Sequence, residues 1–170
     1  MDHDQYSDDY IKEVLDAVKT VAIVGASANK VRPSYFVLTY MKSKGYEVYP
    51  VNPGQAGKTI AGALCYGTMK EIPQPIHMVD VFRNSEAAYD VVCEALELNP
   101  LPTVIWMQLG VRNDKAAQLA EEKGVKVVMN RCPKIEYARL CGEIGWVGVN
   151  SGVVSSKKPA LQSGYQRYKV

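Results

Sequence analysis

Five short apolar runs leave this chain few architectures. They are Thr20–Val24, Tyr46–Val51, Ile76–Val81, Thr103–Met107 and Val125–Met129. Near-continuous runs of this kind, rich in β-branched residues, are the pattern of strands buried on both faces. Helical patterns stand between most of them. Tyr10, Ile11, Val14, Leu15 and Val18 recur at helical spacing behind Ser7-Asp8-Asp9, which predicts a helix from about Asp8 to Val18. Pro33 opens a second helix, carrying Tyr35, Phe36, Leu38, Thr39 and Met41 and stopping near Gly45. A third is expected from Ser85 to Glu97, capped by Asn84 or Ser85, a fourth over Asn113–Lys123, and a short fifth from Pro133. The stretch from Asn52 to Gln74 is rich in Gly and Pro and offers one short extended piece near Leu64-Cys65-Tyr66. Strand–helix alternation of this order predicts a three-layer, Rossmann-like α/β fold with a five-stranded, mostly parallel sheet. One domain over residues 1–142 and an irregular basic tail over 143–170 account for the chain.

Composition narrows the function classes. Of 170 residues, 47% are hydrophobic and 22% charged, ordinary for a globular domain. A net charge of +2 is too small to argue for nucleic acid or an anionic membrane. No apolar stretch approaches the roughly 20 residues of a membrane span, and the acidic start Met1-Asp2-His3-Asp4 is unlike a signal peptide. Cys65, Cys93, Cys132 and Cys141 form no CxxC pair, which reads as a reducing, cytoplasmic setting. With His3 and His77 alone, a Cys/His metal site has few ligands to draw on, and no metal is expected. The tail ends in Lys157-Lys158, Arg167 and Lys169 with no acid after Glu143, and reads as a solvated terminus or a binding arm.

In a doubly wound sheet the ligand lies beyond the carboxyl ends of the strands. The first strand ends Gly25-Ala26-Ser27 and leads through Ala28-Asn29-Lys30-Val31-Arg32 into Pro33. Gly25 permits a sharp turn and close approach. Ser27 offers a hydroxyl, the helix opened by Pro33 offers free N–H groups, and Lys30 and Arg32 add charge. This reads as a polyanion site, or as an ordinary strand-to-helix turn beside surface cations. The G-x-G-x-x-G fingerprint is absent: Ser27 holds its second glycine position. The second strand ends Pro50-Val51-Asn52-Pro53, and neutral Asn52 stands where an NAD site wants a carboxylate. A ribose bearing a phosphate fits better, which leaves NADP or coenzyme A.

Further candidates follow the other strands. Phe82 can lie against an adenine or a pantetheine arm, or belong to the core, and Arg83 can meet a phosphate or cap a helix end. Gln108 can pair with the amides of a pantetheine arm, and Gly110 lets backbone come close. Cys132, between Arg131 and Pro133 at a helix start, is placed to have a lowered thiol pKa and to form a mixed disulfide with a thiol ligand; the alternative is a half-buried structural cysteine.

Six blocks in order, Ala22-Ile23-Val24-Gly25-Ala26-Ser27, Arg32-Pro33-Ser34-Tyr35, Pro50-Val51-Asn52-Pro53, Val79-Asp80-Val81-Phe82-Arg83, Gln108-Leu109-Gly110 and Met129-Asn130-Arg131-Cys132-Pro133, carry a resemblance over roughly residues 11–141. The chain resembles the small CoA-binding proteins whose fold matches the CoA-binding domain of succinyl-CoA synthetase. One position departs: Asn130 stands where many relatives are expected to carry an acid. The resemblance implies coenzyme A, or an acyl-CoA, as ligand. It leaves room for a homodimer or a ligase-type partner chain. A binder without catalytic residues of its own is the leading expectation. An NADP-dependent oxidoreductase would need a hydride-transfer partner that the chain has little room for. The ligase chemistry of a phosphorylated histidine would need a His in a Gly-rich loop, and neither His3 nor His77 lies in one.

Overall fold

A computed structural model describes residues 2–141. The tail from residue 143 lies outside the described residues, and with it the expectation of irregular structure there. Five parallel strands form the main sheet: β1 (Thr20–Val24), β2 (Glu47–Val51), β5 (Met78–Val81), β6 (Val104–Met107) and β7 (Lys126–Val128). Their order is β2-β1-β5-β6-β7. The chain leaves β1 to one side for β2 and then crosses back over it to β5. This reversal opens a crevice between the carboxyl ends of β1 and β5.

Helices cover both faces because every strand of the sheet is apolar on both. On one face, α3 (Ala87–Ala95) and α4 (Asp114–Glu122) pack through Ala88, Ala95, Ala116, Ala117 and Ala120 onto Val79, Val81, Ile105 and Val127. The small side chains let these helices lie close to the sheet. On the other face, α1 (Asp8–Ala17), α2 (Pro33–Ser43) and α5 (Pro133–Leu140) cover Val21, Ile23, Met78 and Trp106. Trp106 is fully buried, and its indole N–H donates to the Arg131 carbonyl at 2.8 Å, so no polar group is stranded.

Local chemistry sets the element ends. The Ser7 hydroxyl accepts from the Tyr10 N–H, and the Asn113 side chain accepts from the Ala116 N–H at 2.9 Å, so each starts its helix as expected. The third helix begins at Ala87 rather than Ser85: the Asn84 side chain accepts from the Ala87 N–H at 2.8 Å, while the Ser85 hydroxyl accepts from the Arg112 N–H at 3.0 Å. The third strand of the sheet begins at Met78, not Ile76. His77 ahead of it instead bonds Thr20, its Nδ1 lying 2.6 Å from the Thr20 hydroxyl.

The Gly/Pro-rich stretch holds more order than the sequence suggests. Two-residue strands β3 (Thr59–Ile60) and β4 (Ala63–Leu64) form a hairpin, and Tyr66 bridges Val51 in parallel. Its turn residues Ala61 and Gly62 both have positive φ, at 48° and 73°, the conformation of a tight two-residue hairpin loop. Alanine tolerates that region poorly, which is why the turn does not announce itself in the sequence. The Lys42 ammonium donates to the Ala61 carbonyl at 3.0 Å and ties the hairpin to α2.

Candidate functional site

The carboxyl ends of β1 and β5 are pinned together by Gly25. Its φ is +88°, and a Cβ there would lie 2.9 Å from the Phe82 carbonyl oxygen, so only a hydrogen fits. The close approach expected of Gly25 is therefore to the neighbouring strand. Arg83 runs over the same spot, its Cδ 3.2 Å from where that Cβ would be. Ala26 is fully buried, its N–H donates to the Val51 carbonyl, and its own carbonyl accepts from the Asn52 amide at 2.7 Å. Ala26 thus braces the loop, with partners inside the protein for both its backbone N–H and its carbonyl.

The loop to α2 is braced in the same way. The Ser27 N–H donates to the Ser34 hydroxyl at 3.2 Å, and the Ser27 hydroxyl accepts from the Asn29 N–H at 3.2 Å. Ser34, 3% exposed, is the organising residue that sequence reasoning passed over as a site residue. Asn52 is committed at both ends, donating to Ala26 and accepting from the Gly54 N–H at 2.9 Å. The sequence correctly places a neutral side chain at that strand end, but its amide closes a loop and is not turned to a ribose. Lys30 and Arg32 are exposed, and their side chains make no bond among the described residues.

Beside this loop, at the crevice, lies a cleft of about 630 Å³. Five residues singled out from the sequence line it: Pro33, Phe82, Arg83, Gln108 and Cys132. Gly25, Ala26, Ser27, Lys30, Arg32, Asn52 and Gly110 do not. Phe82 resolves both of its readings at once, since it is half-buried, packs on the core and forms cleft wall. Gly110 has a φ of +77°, and a Cβ there would meet nothing within 4 Å. It serves the turn, and its N–H donates to the Asn130 side chain at 2.8 Å.

The rest of the wall was not legible from the sequence. Phe36 and Val37 come from α2, Leu109 and Val111 from the loop after β6, and Ile135 and Ala138 from one face of α5. Phe36 is 51% exposed and Leu109 57%, unusual for large apolar side chains, and both face this cleft. The spacing of Phe36 three residues after Pro33 could have flagged it. Lys134 adds a second cation beside Arg83; its ammonium sits 5.9 Å from the Phe36 ring centre and 5.6 Å from that of Tyr40. Charges thus stand at the edge of an apolar wall.

Two buried titratable groups lie under the cleft. Asp80 is fully buried on β5 and accepts from Gln108 Nε2 at 2.9 and 3.1 Å. Burial pushes its carboxyl up to about 8 against the opposing effect of that hydrogen bond. Gln108 Nε2 thus directs an N–H at Asp80 rather than at a pantetheine amide. Cys132 stands at the start of α5 as expected, but burial pushes its thiol up to about 11, opposite to the lowering expected from its sequence position. His77 and His3 stand elsewhere: His77 at the amino end of β5, and His3 against Tyr6 and Glu121. Among the described residues no cluster of three metal-ligating side chains occurs, and no helix is long and apolar enough to cross a membrane.

A doubly wound parallel sheet with an apolar, cation-edged cleft at its topological switch point defines a Rossmann-like ligand-binding domain. The family model of the CoA binding domain matches residues 19–138, and the chain belongs to that family. An uncharacterized Bacillus subtilis protein, YneT, is 41% identical over 131 residues, covering 75% of this chain and 92% of its own. Among solved structures, a hypothetical protein from Pyrococcus horikoshii superposes with a TM-score of 0.75 at 35% identity, over 82% of this chain and 95% of its own. A Thermus thermophilus protein superposes at 0.74 and 32%, over 79% of this chain and 98% of its own. The fold also recurs in an acetyl-coenzyme A synthetase of Ca. Korarchaeum cryptofilum, solved with phosphate and ADP (TM-score 0.57, 20% identity, 70% of this chain and 27% of that one).

Proposed function

We propose that this protein binds coenzyme A or an acyl-CoA in the switch-point cleft, as a binder without catalytic residues of its own. The observation that carries this reading is the cleft itself. An apolar wall of Phe36, Phe82, Leu109 and Ile135 suits the pantetheine arm, and Arg83 and Lys134 at its edge suit phosphate. The start of α2, with the free side chains of Lys30 and Arg32 nearby, suits the remaining phosphates. Membership of the CoA binding domain family supports the same ligand. The neutral, internally bonded Asn52 supports CoA over NAD, because no carboxylate waits there for ribose hydroxyls. All four cysteines are free, which suits a cytoplasmic setting.

Titration calorimetry with CoA, NADPH and NAD tests the reading. CoA is expected to bind at least tenfold more tightly than NAD, about 1.4 kcal/mol. Arg83→Ala is expected to weaken CoA binding by about 1.5–3 kcal/mol, the usual contribution of a charge-assisted hydrogen bond. Equal affinity for CoA and NAD, or turnover of NADPH, would reject it.

A further inference from the structure

Asp80 has no counter-charge in a place where a carboxyl is costly. Its register neighbours are Ile23 on β1 and Trp106 on β6, both apolar. From α2 the nearby cleft wall supplies Phe36 and Val37, and α5 supplies the Cys132 thiol and Lys134, with Arg83 at the end of Asp80's own strand. No ion pair reaches Asp80 among the described residues. Its two oxygens share one donor, Nε2 of Gln108. The other end of that amide, Oε1, has no partner among the described residues, and no fully buried side-chain oxygen or nitrogen there lacks one. Gln108 is 93% buried and lines the cleft, so Oε1 opens into it. The cleft floor therefore carries a lone acceptor held by a buried acid.

We propose that Asp80 is a positioning residue whose proton decides whether Gln108 offers an acceptor to the ligand. Ionised, the carboxylate holds Nε2 between its oxygens and leaves Oε1 facing outward. Protonated, its O–H donates to Oε1 while one carboxyl oxygen keeps Nε2. This two-point acid–amide pair draws the acceptor inward. The two states exchange near neutrality, because burial has lifted the carboxyl far above its ordinary range. The outward acceptor selects a ligand group with an N–H, which a secondary amide supplies. A ligand amide competes with the Asp80 proton for Oε1, so affinity rises as the pH rises through the Asp80 titration. This rests on the cleft being the ligand site and specifies an amide-bearing arm within it.

Two measurements separate this proposal from the CoA reading. The first needs no ligand: the side-chain amide resonance of Gln108 in ¹⁵N-labelled protein, assigned by its loss in Gln108→Met. It is expected to shift between about pH 6 and about pH 9, far above the ordinary carboxyl range, and to stay fixed in Asp80→Asn, which mimics the protonated acid at every pH. A resonance that does not titrate in the wild type overturns the proposal even if the variant fails to fold. The second is calorimetry with CoA over the same interval. The ligand's own titrations appear equally in both proteins, so the difference is read. Wild type is expected to gain about three- to tenfold in affinity over Asp80→Asn, the worth of one hydrogen bond. Parallel pH profiles, or a difference of opposite sign, overturn the acceptor role. A titrating amide in a protein that binds no CoA keeps the Asp80–Gln108 coupling and rejects the CoA reading.

Discussion

At Cys132 two opposed influences on a thiol meet. The start of α5 favours the thiolate, through hydrogen bonds from the Ile135 and Lys134 backbone, while burial and the nearby Asp80 carboxyl oppose it. Burial is the largest of these, and the pKa rises to about 11. The cation expected to help is turned elsewhere: Arg131 donates to the Asn130 carbonyl and lies 5.6 Å from the Tyr6 ring centre. At neutral pH the thiolate fraction is then at least roughly a hundredfold below that of an ordinary cysteine. Iodoacetamide labelling followed by peptide mapping is expected to modify the half-exposed Cys93 first. Cys132 should remain slow until the pH approaches 11. Early labelling of Cys132 would show that the thiol is poised after all. The helix start and the charged neighbour of Cys132 are plain in the sequence, but the depth at which the thiol is buried is a tertiary property.

Between elements, the site depends on loops bonded to one another across strand ends. Asn130, after β7, holds a φ of 53°, a left-handed conformation that asparagine tolerates better than most residues. Its side chain accepts from the Gly110 N–H at 2.8 Å, and its own N–H donates to the Val111 carbonyl at 3.2 Å. An acid at this position would accept the same bond, so the departure from the expected acid keeps the geometry and drops the charge. Asn130→Ala loses the acceptor and strains the backbone, and is expected to cost about 1–3 kcal/mol in urea unfolding. Asn130→Asp is expected to restore most of it. An Ala variant as stable as wild type would show that the bridge does not hold the loop. The sequence marks Gly110 as a place of close backbone approach and Asn130 as a departure from an expected acid; that the two bond to each other across twenty positions is not legible there.

For the whole molecule, a ligand that bridges α2, α5 and the ends of β5 and β6 must stabilise the folded state, since the unfolded chain has no cleft to bind it. At a concentration one hundred times its Kd, CoA is expected to add about 2.7 kcal/mol, a rise of roughly 5–10 °C in Tm. NAD at the same concentration should give a clearly smaller rise. Matching shifts would mean that the cleft does not discriminate between the two.

The strands and helices were legible because their causes are local. Apolar runs such as Thr20–Val24 specify strands buried on both faces, Ser7 and Asn113 mark helix starts, and Pro33 opens α2. Alternation of these elements then dictates a parallel sheet with helices on both sides. The order of the strands brings Gly25 against Phe82, and Pro33, Phe82, Arg83 and Gln108 to one crevice, so much of the candidate site followed from reading strand ends. What the sequence could not decide is which polar groups are already spent. Ala26, Ser27, Asn52 and Gly110 read as ligand contacts because each follows a strand end, yet each already makes hydrogen bonds within the loops. Phe36, Leu109 and Lys134 reach the cleft only because helices and loops distant in sequence are packed side by side. Asp80 changes most of all: a lone acid in a strand looks inert, and the tertiary structure makes it a buried carboxyl beneath the site by removing water from around it.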